Sequence, residues 1–210
     1  MKKTAPRIFL FDIGNVMVRT DYGITYRILE SLGVPPAHAE RFFENDDRLE
    51  FNRGNIDGRG FYDALIKKYL QHELPYEEIV SAHDRHMYEL DYDMVRILDA
   101  LRAAGQTVAF ATDTNDWQMR REHELLDVKR FDGPVFRSNE WHMIKIDPGF
   151  FPRVLKELGA PPSEILFVDD SIYKIESAER SGIQTFHFER NPDELAWRIK
   201  ERGTDLRVQF

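Results

Sequence analysis

Five residues in this 210-residue chain stand where side-chain chemistry is expected: Asp12, Thr112, Lys145, Asp169 and Asp170. Ile8-Phe9-Leu10-Phe11 runs into Asp12, Val108-Ala109-Phe110-Ala111 into Thr112, and Ile165-Leu166-Phe167-Val168 into the pair Asp169-Asp170. Lys145 lies in the stretch between the last two runs. As strands of one parallel sheet, these runs end on a common edge, which is where open α/β sheets bind ligands. Three carboxylates gathered there repel one another unless a cation or protons intervene. Oxygen donors with no cysteine nearby favour Mg²⁺ over zinc or copper. A carboxylate nucleophile, a hydroxyl, an ammonium and a divalent cation are together the parts of a phosphoryl-transfer site.

The elements that must hold these residues are legible in the pattern. Ile8–Phe11 is apolar without alternation, as suits a strand covered on both faces. Thr107–Thr112, Gly133–Ser138, Ile165–Asp170 and Gln184–Phe188 read as four further strands. Between them, Val95, Leu98 and Leu101 form a helix stripe stopped by Gly105. Phe151, Val154, Leu155 and Leu158 form another, ended by Gly159, and Ile172 to Ser181 a third, stopped by Gly182. Strands alternating with helices specify a parallel sheet with right-handed crossovers. Residues from about 22 to 92 read differently, with helical periodicity and no convincing strand. There Phe61, Leu65, Ile66 and Tyr69 share one helix face, and Ile79, Ala82, His83 and Met87 another. The expected architecture is an α/β, doubly wound parallel-sheet core (1–19 and 93–210) carrying an inserted α-helical domain at 20–92.

Composition narrows the function classes. A formal net charge of −8 argues against nucleic acid as the main partner, since phosphate-backbone binding needs a basic face. The absence of cysteine removes disulfides, thiolate zinc sites and cysteine nucleophiles, and fits a reducing, cytoplasmic setting. Ile8–Phe11 is too short for a signal-peptide core, and no apolar run approaches a membrane span.

The segments FLFDIGNV (9–16), VAFATDTN (108–115), IKIDPGFF (144–151) and ILFVDDSIYKIESAERSG (165–182) resemble, in order, the four motifs of the haloacid dehalogenase (HAD) superfamily. The resemblance covers the whole chain, with residues of roughly 20 to 90 corresponding to the helical cap. It implies a Rossmann-like core and an Mg²⁺-dependent phosphatase of a small phosphorylated metabolite, sugar phosphates included. Asp12 would take the phosphoryl group as an aspartyl phosphate. Thr112 would hydrogen-bond the phosphate, and Lys145 would hold nucleophile and phosphate together. Asp170 would bind the metal directly, with Asp169 beside it or behind it, and the Gly14 carbonyl would also face the metal. Backbone amides of Ile13, Gly14 and Asp113 would add phosphate donors.

The chain departs from the family pattern at several points. Family phosphatases carry a second aspartate two residues after the nucleophile as general acid and base, and here that position is Gly14. Loss of such a group is worth about 10²–10⁴ in rate. The proton must then come from elsewhere, with Asp21 on the cap side as a candidate, or the leaving group must need none. Ile146 replaces the usual proline, and Thr112-Asp113 the usual Ser-Asn, adding negative charge near the phosphate. Two other readings compete: a catalytically feeble relative that binds a phospho-ligand or partner protein, and a metal-free haloacid dehalogenase, which has no need of paired aspartates. A receiver domain is excluded because its acidic pair follows the first strand, not the fourth. Among the remaining residues, His83 and His86 read as surface histidines and Asn115 as a helix N-cap. Phe42, Phe43, Phe51 and Phe61 read as core of the insertion. Trp117, Trp141, His142 and Tyr173 either border the site or pack beside it.

Overall fold

Ile8–Phe11 forms strand β1 with both faces covered. In the computed structural model, which describes residues 5–208, Phe9 and Phe11 point to one side of the sheet and Leu10 to the other. The remaining strands are β2 (Val18–Thr20), β3 (Met87–Leu90), β4 (Thr107–Thr112), β5 (Val135–Arg137), β6 (Ile165–Asp169) and β7 (Gln184–His187). Five of them make a parallel sheet in the order β5-β4-β1-β6-β7. On one face, Phe9, Phe11, Phe110 and Val168 pack against the helices Tyr92–Ala103, through Leu98 and Leu101, and Pro192–Glu201, through Leu195 and Ile199. On the other, Leu10, Ala109 and Phe167 pack against Phe150–Leu158, through Phe150 and Val154, and Ile172–Arg180, through Ile175. Helices on both faces make the core doubly wound. From β1 the chain moves outward to β4 and β5, then returns to β6 on the opposite side of β1. Ligands bind where the strand order reverses in this way, and Asp12 leaves β1 at that place.

Between β2 and β3 lie the helices Tyr22–Ser31, Asp46–Asn52, Gly58–Ala64 and Tyr76–Asp84. Asp21, Asn45 and Asp57 cap the first three, each accepting a backbone N–H within the first turn. These helices have their own apolar cluster, which includes Leu29, Phe42, Phe51, Phe61 and Ile79. Trp117, from the helix Asp116–Leu125 that follows β4, joins that cluster and donates its indole N–H to the Tyr76 hydroxyl at 3.0 Å. A Cβ on Gly58 would collide with the same indole, so the close approach requires glycine there. Arg53 adds a second tie, a two-pronged ion pair to Asp147 at 2.9 and 3.1 Å, two residues past Lys145. Among the described residues no helix is long and apolar enough to cross a membrane.

The region expected to hold no strand holds one, β3, which pairs antiparallel with β2 just before that region, Val18 opposite Leu90 and Thr20 opposite Met87. Met87 is buried in this ribbon and not on a helix stripe. Each strand is only three or four residues long and its partner is distant in sequence, so local periodicity carries no trace of the pairing.

Candidate active site

The turn after β1 fixes Asp12. The Asp12 amide completes the sheet by donating to the Val168 carbonyl (2.9 Å), and the amides of Met17 and Val18 both close on the Ile13 carbonyl at 2.8 and 2.9 Å. Asn15 takes a left-handed conformation (φ 55°), which asparagine tolerates. Its Oδ1 accepts from the Thr20 hydroxyl at 2.8 Å. A Cβ on Gly14 would meet nothing within 4 Å. The glycine is therefore not imposed by crowding.

Lys145 is wholly buried, and its ammonium is the centre of the arrangement. Nζ lies 2.7 Å from Asp12 Oδ1, 2.7 Å from Asp169 Oδ2 and 3.1 Å from the Ala111 carbonyl, which uses all three of its hydrogens. Asp12 Oδ1 also accepts from the Ile13 amide (2.8 Å), and Asp169 Oδ1 from the Ser171 amide (2.9 Å). Burial opposes ionisation of Asp12, but the ammoniums of Lys145 and Lys174 outweigh it and hold the carboxyl below its usual range. Burial and the neighbouring Asp12 charge push Asp169 the other way, up to about 7. One ammonium thus serves two carboxylates of unequal acidity.

Asp12, Asp169 and Asp170 each offer a carboxylate oxygen, and these lie within 4.8 Å of one another. Among the described residues no hydrogen bond or ion pair engages the Asp170 carboxylate, which leaves it the freest of the three donors. A set made only of hard oxygens, with one ligand uncommitted, fits Mg²⁺.

The other expected site residues fall into place less uniformly. Thr112 and Glu122 are buried together, and the Thr112 hydroxyl donates to Glu122 Oε1 at 3.3 Å. Asp113 Oδ1 accepts the Lys145 amide at 2.8 Å and so fixes the lysine's backbone. Asp21 serves as the N-cap of Tyr22–Ser31 and pairs with Arg27 at 3.4 Å. It is not on the wall of the pocket over Asp12, although its neighbours Thr20 and Tyr22 are. His83 and His86 are buried among rings and not on the surface; the centroid of His86 lies 5.0 Å from Phe43 and 5.4 Å from Tyr22. Burial lowers both histidine pKa values, so both are neutral. Asn115 is the N-cap it was expected to be, accepting the Gln118 amide at 3.0 Å. Trp141 packs on Phe136 and Phe150, and His142 meets the Arg53 carbonyl at 3.0 Å.

Sequence reading missed Lys174, Arg48 and Glu122. Lys174 Nζ lies 3.4 Å from Asp12 Oδ2 and 3.6 Å from Asp113 Oδ2. Burial opposes its charge, but Asp12, Asp169, Asp113 and Asp170 prevail and raise its pKa well above the ordinary value. The signal was its place in the first turn of the helix after β6, which returns it to the strand ends. Arg48 donates to the Tyr22 hydroxyl (2.7 Å) and the Phe43 carbonyl (3.0 Å) and has no ion pair among the described residues.

Glu122 is pushed from 4.5 up to about 7, first by burial and further by the charge of Asp12. Between those pH values the folded protein holds a proton that the unfolded chain has released, so stability falls as pH rises through this window. Glu122→Gln removes that slope and makes the protein more stable than wild type at pH 8 by up to about 3 kcal/mol. Urea midpoints at pH 5 and pH 8 measure it; parallel profiles for the two proteins would refute it.

A pocket of about 460 Å³ opens over this arrangement. Asp12, Gly14, Asp113, Asp170 and Lys174 line it from the sheet edge, and Tyr22, Arg48, Leu49 and Asn52 from the helical insertion. Ile13, Thr112, Lys145 and Asp169 are not on its wall.

Comparison with known proteins identifies the family and the fold. The family model for haloacid dehalogenase-like hydrolases matches residues 29–188. The sesquiterpene phosphatase astK of Aspergillus oryzae is 27% identical over 184 residues, 85% of this chain and 87% of that protein. The drimenol cyclase drtB of Aspergillus calidoustus is 24% identical over 196 residues; the match takes in 89% of this chain but 35% of the cyclase. Among solved structures, a HAD family enzyme of Bacteroides thetaiotaomicron in complex with magnesium and inorganic phosphate superposes with a TM-score of 0.80 at 21% identity, over 90% of this chain and 98% of that one. The L-2-haloacid dehalogenase of Xanthobacter autotrophicus superposes less well, with a TM-score of 0.65 at 18% identity over 95% of this chain and 84% of that one.

Proposed function

This chain belongs to the haloacid dehalogenase-like hydrolases, and from that premise we propose that it is an Mg²⁺-dependent phosphatase of a small phosphorylated metabolite. The observation that carries the reading is the Asp12 carboxylate, held ionised at a sheet edge by an ammonium 2.7 Å away, with Asp169 and Asp170 beside it. The Asp12 carboxylate attacks phosphorus, the ester P–O bond breaks with the leaving oxygen taking a proton from water to become the alcohol, and a second water hydrolyses the resulting aspartyl phosphate to regenerate the acid. Lys145 orients and ionises the nucleophile. Lys174 faces the incoming phosphate from the opposite side of Asp12, and the amides of Gly14 and Asp113 supply neutral donors. In this reading Asp12, Asp170 and the Gly14 carbonyl hold Mg²⁺, with Asp169 behind them, and the cation neutralises charge on the transferring group. The helical insertion at 20–92 serves as the cap that covers the pocket. The phosphatase named among the relatives and the magnesium and phosphate bound by the Bacteroides enzyme support the reading.

A panel of phosphomonoesters and acyl phosphates, assayed with Mg²⁺ and with excess chelator, tests it. Turnover should appear with Mg²⁺ and fall to background in chelator. Undiminished turnover in chelator, or halide release from 2-haloacids, would overturn it.

Gly14 favours a second reading, a slow relative that binds phosphate esters without efficient turnover. Because a Cβ at this position meets nothing within 4 Å, Gly14→Asp can be introduced without crowding at the backbone. For alkyl phosphates, whose leaving oxygen needs a proton, kcat/KM should rise by about 10²-fold, while aryl phosphates gain little. An equal gain for both classes contradicts the missing-acid account. Absent activity in both proteins with phosphate binding intact supports the slow-relative reading.

A further inference from the structure

We propose that the substrate is the phosphate monoester of a hydrocarbon alcohol, whose apolar body lies across Tyr22, Leu49, Ile146 and Tyr173 while its phosphate sits at Asp12. This rests on the phosphatase reading and names its substrate class.

Eight large apolar side chains are exposed among the described residues, and four of them line the pocket over Asp12. They are Tyr22 (38% exposed), Leu49 (40%), Ile146 (44%) and Tyr173 (72%). A fifth, Ile172, adjoins Tyr173 in sequence and is 46% exposed. Exposed apolar residues scattered singly need no explanation, but a group of them around one polar floor does. The four come from four separate segments: Tyr22 and Leu49 from the insertion, Ile146 beside Lys145, and Tyr173 three residues after Asp170. The apolar surface therefore faces the pocket from both sides.

Several of the polar groups on the same wall already have partners within the protein. Asn15 Oδ1 accepts from Thr20 and Arg190 (both 2.8 Å), and Asn52 Oδ1 from Asn115 (2.8 Å). The Gln118 amide donates to Glu122 at 3.1 Å. Arg48 donates to the Tyr22 hydroxyl and the Phe43 carbonyl, and His86 Nδ1 meets the His83 carbonyl. The hydroxyls of a sugar would lose water where they lie against tyrosine, leucine and isoleucine, which is costly. A hydrocarbon chain on the same surface removes apolar area from water on both sides. The pocket thus joins the charged groups around Asp12 to four exposed apolar side chains, a combination suited to an amphipathic ester.

The test measures binding of alkylphosphonates from methyl to octyl, with glycerol 3-phosphate and a hexose 6-phosphate beside them, by calorimetry in saturating Mg²⁺. Wild type is compared with Ile146→Ser/Tyr173→Ser, and hydrolysis of the matching alkyl phosphates is followed separately. Affinity should rise about two- to threefold per methylene, about a hundredfold or more from methyl to octyl, and the double variant should lose at least half of that slope. A flat series, tighter binding of the polyol phosphates, an unchanged slope in the variant, or no binding by any member overturns the proposal. A clear slope with no hydrolysis of octyl phosphate upholds the ligand class and removes the phosphatase reading. Turnover of small esters without the slope does the reverse.

Discussion

Asp12→Asn lowers phosphomonoester turnover by about 10⁴-fold or more and leaves the protein folded. An amide nitrogen or oxygen does not form the acyl phosphate, and water without the aspartate has no comparable route to phosphorus. The fold survives because asparagine matches aspartate in shape and the sheet contact at this residue is made by the backbone, from the Asp12 amide to the Val168 carbonyl. Each lysine also keeps a carboxylate: Lys145 retains Asp169 at 2.7 Å and Lys174 retains Asp113 at 3.6 Å. The comparison is kcat/KM alongside near-ultraviolet circular dichroism. Native spectra with activity within tenfold of wild type would show that the nucleophile lies elsewhere.

Asp12, the proposed nucleophile, was readable from sequence for a physical reason. A parallel strand is covered on both faces, so its residues are unbroken apolar, and the first charge marks where the chain emerges at the edge. The same logic located Thr112, Asp169 and Asp170, and right-handed crossovers brought the three strand ends together. Lys145 was placed at the same edge by its position between the third and fourth core strands, but nothing local in Ile144-Lys145-Ile146 announces a buried cation.

What stayed hidden has one cause in common, burial created by distant neighbours. Glu122 stands in Arg120-Arg121-Glu122-His123-Glu124, which reads as a solvated helix face; only the packing of that helix beside the end of β4 reveals a buried carboxyl under Thr112. His83 and His86 read as surface residues for the same reason, and their enclosure depends on Phe43, Tyr22 and Trp117 arriving from three other segments. The β2–β3 ribbon is the backbone version of this problem, since each strand is too short to declare itself without the other.

The second large effect is Lys145→Met. Nζ is buried between two carboxylates, and methionine of similar length leaves Asp12 and Asp169 facing each other with no ammonium between them. Removing one partner of a buried ionic group strands the other charges, a cost of about 3–5 kcal/mol. Lys174 compensates little, because its 3.4 Å contact is with the outer oxygen of Asp12 and it has no ion pair with Asp169 among the described residues. The loss should depend on pH in a definite direction. Without the ammonium both carboxyls hold their protons to higher pH in the folded state than in the unfolded chain, so the deficit is greatest at pH 7 and above and shrinks towards pH 5. Millimolar Mg²⁺ should recover part of the deficit at pH 7, because a divalent cation among Asp12, Asp169 and Asp170 replaces the missing positive charge. Turnover should not return with stability, since the nucleophile is no longer oriented. Urea unfolding at pH 5 and pH 7, with and without Mg²⁺, measures all of this. A variant within about 1 kcal/mol of wild type at pH 7 would mean that the two aspartates share a proton instead of relying on the lysine.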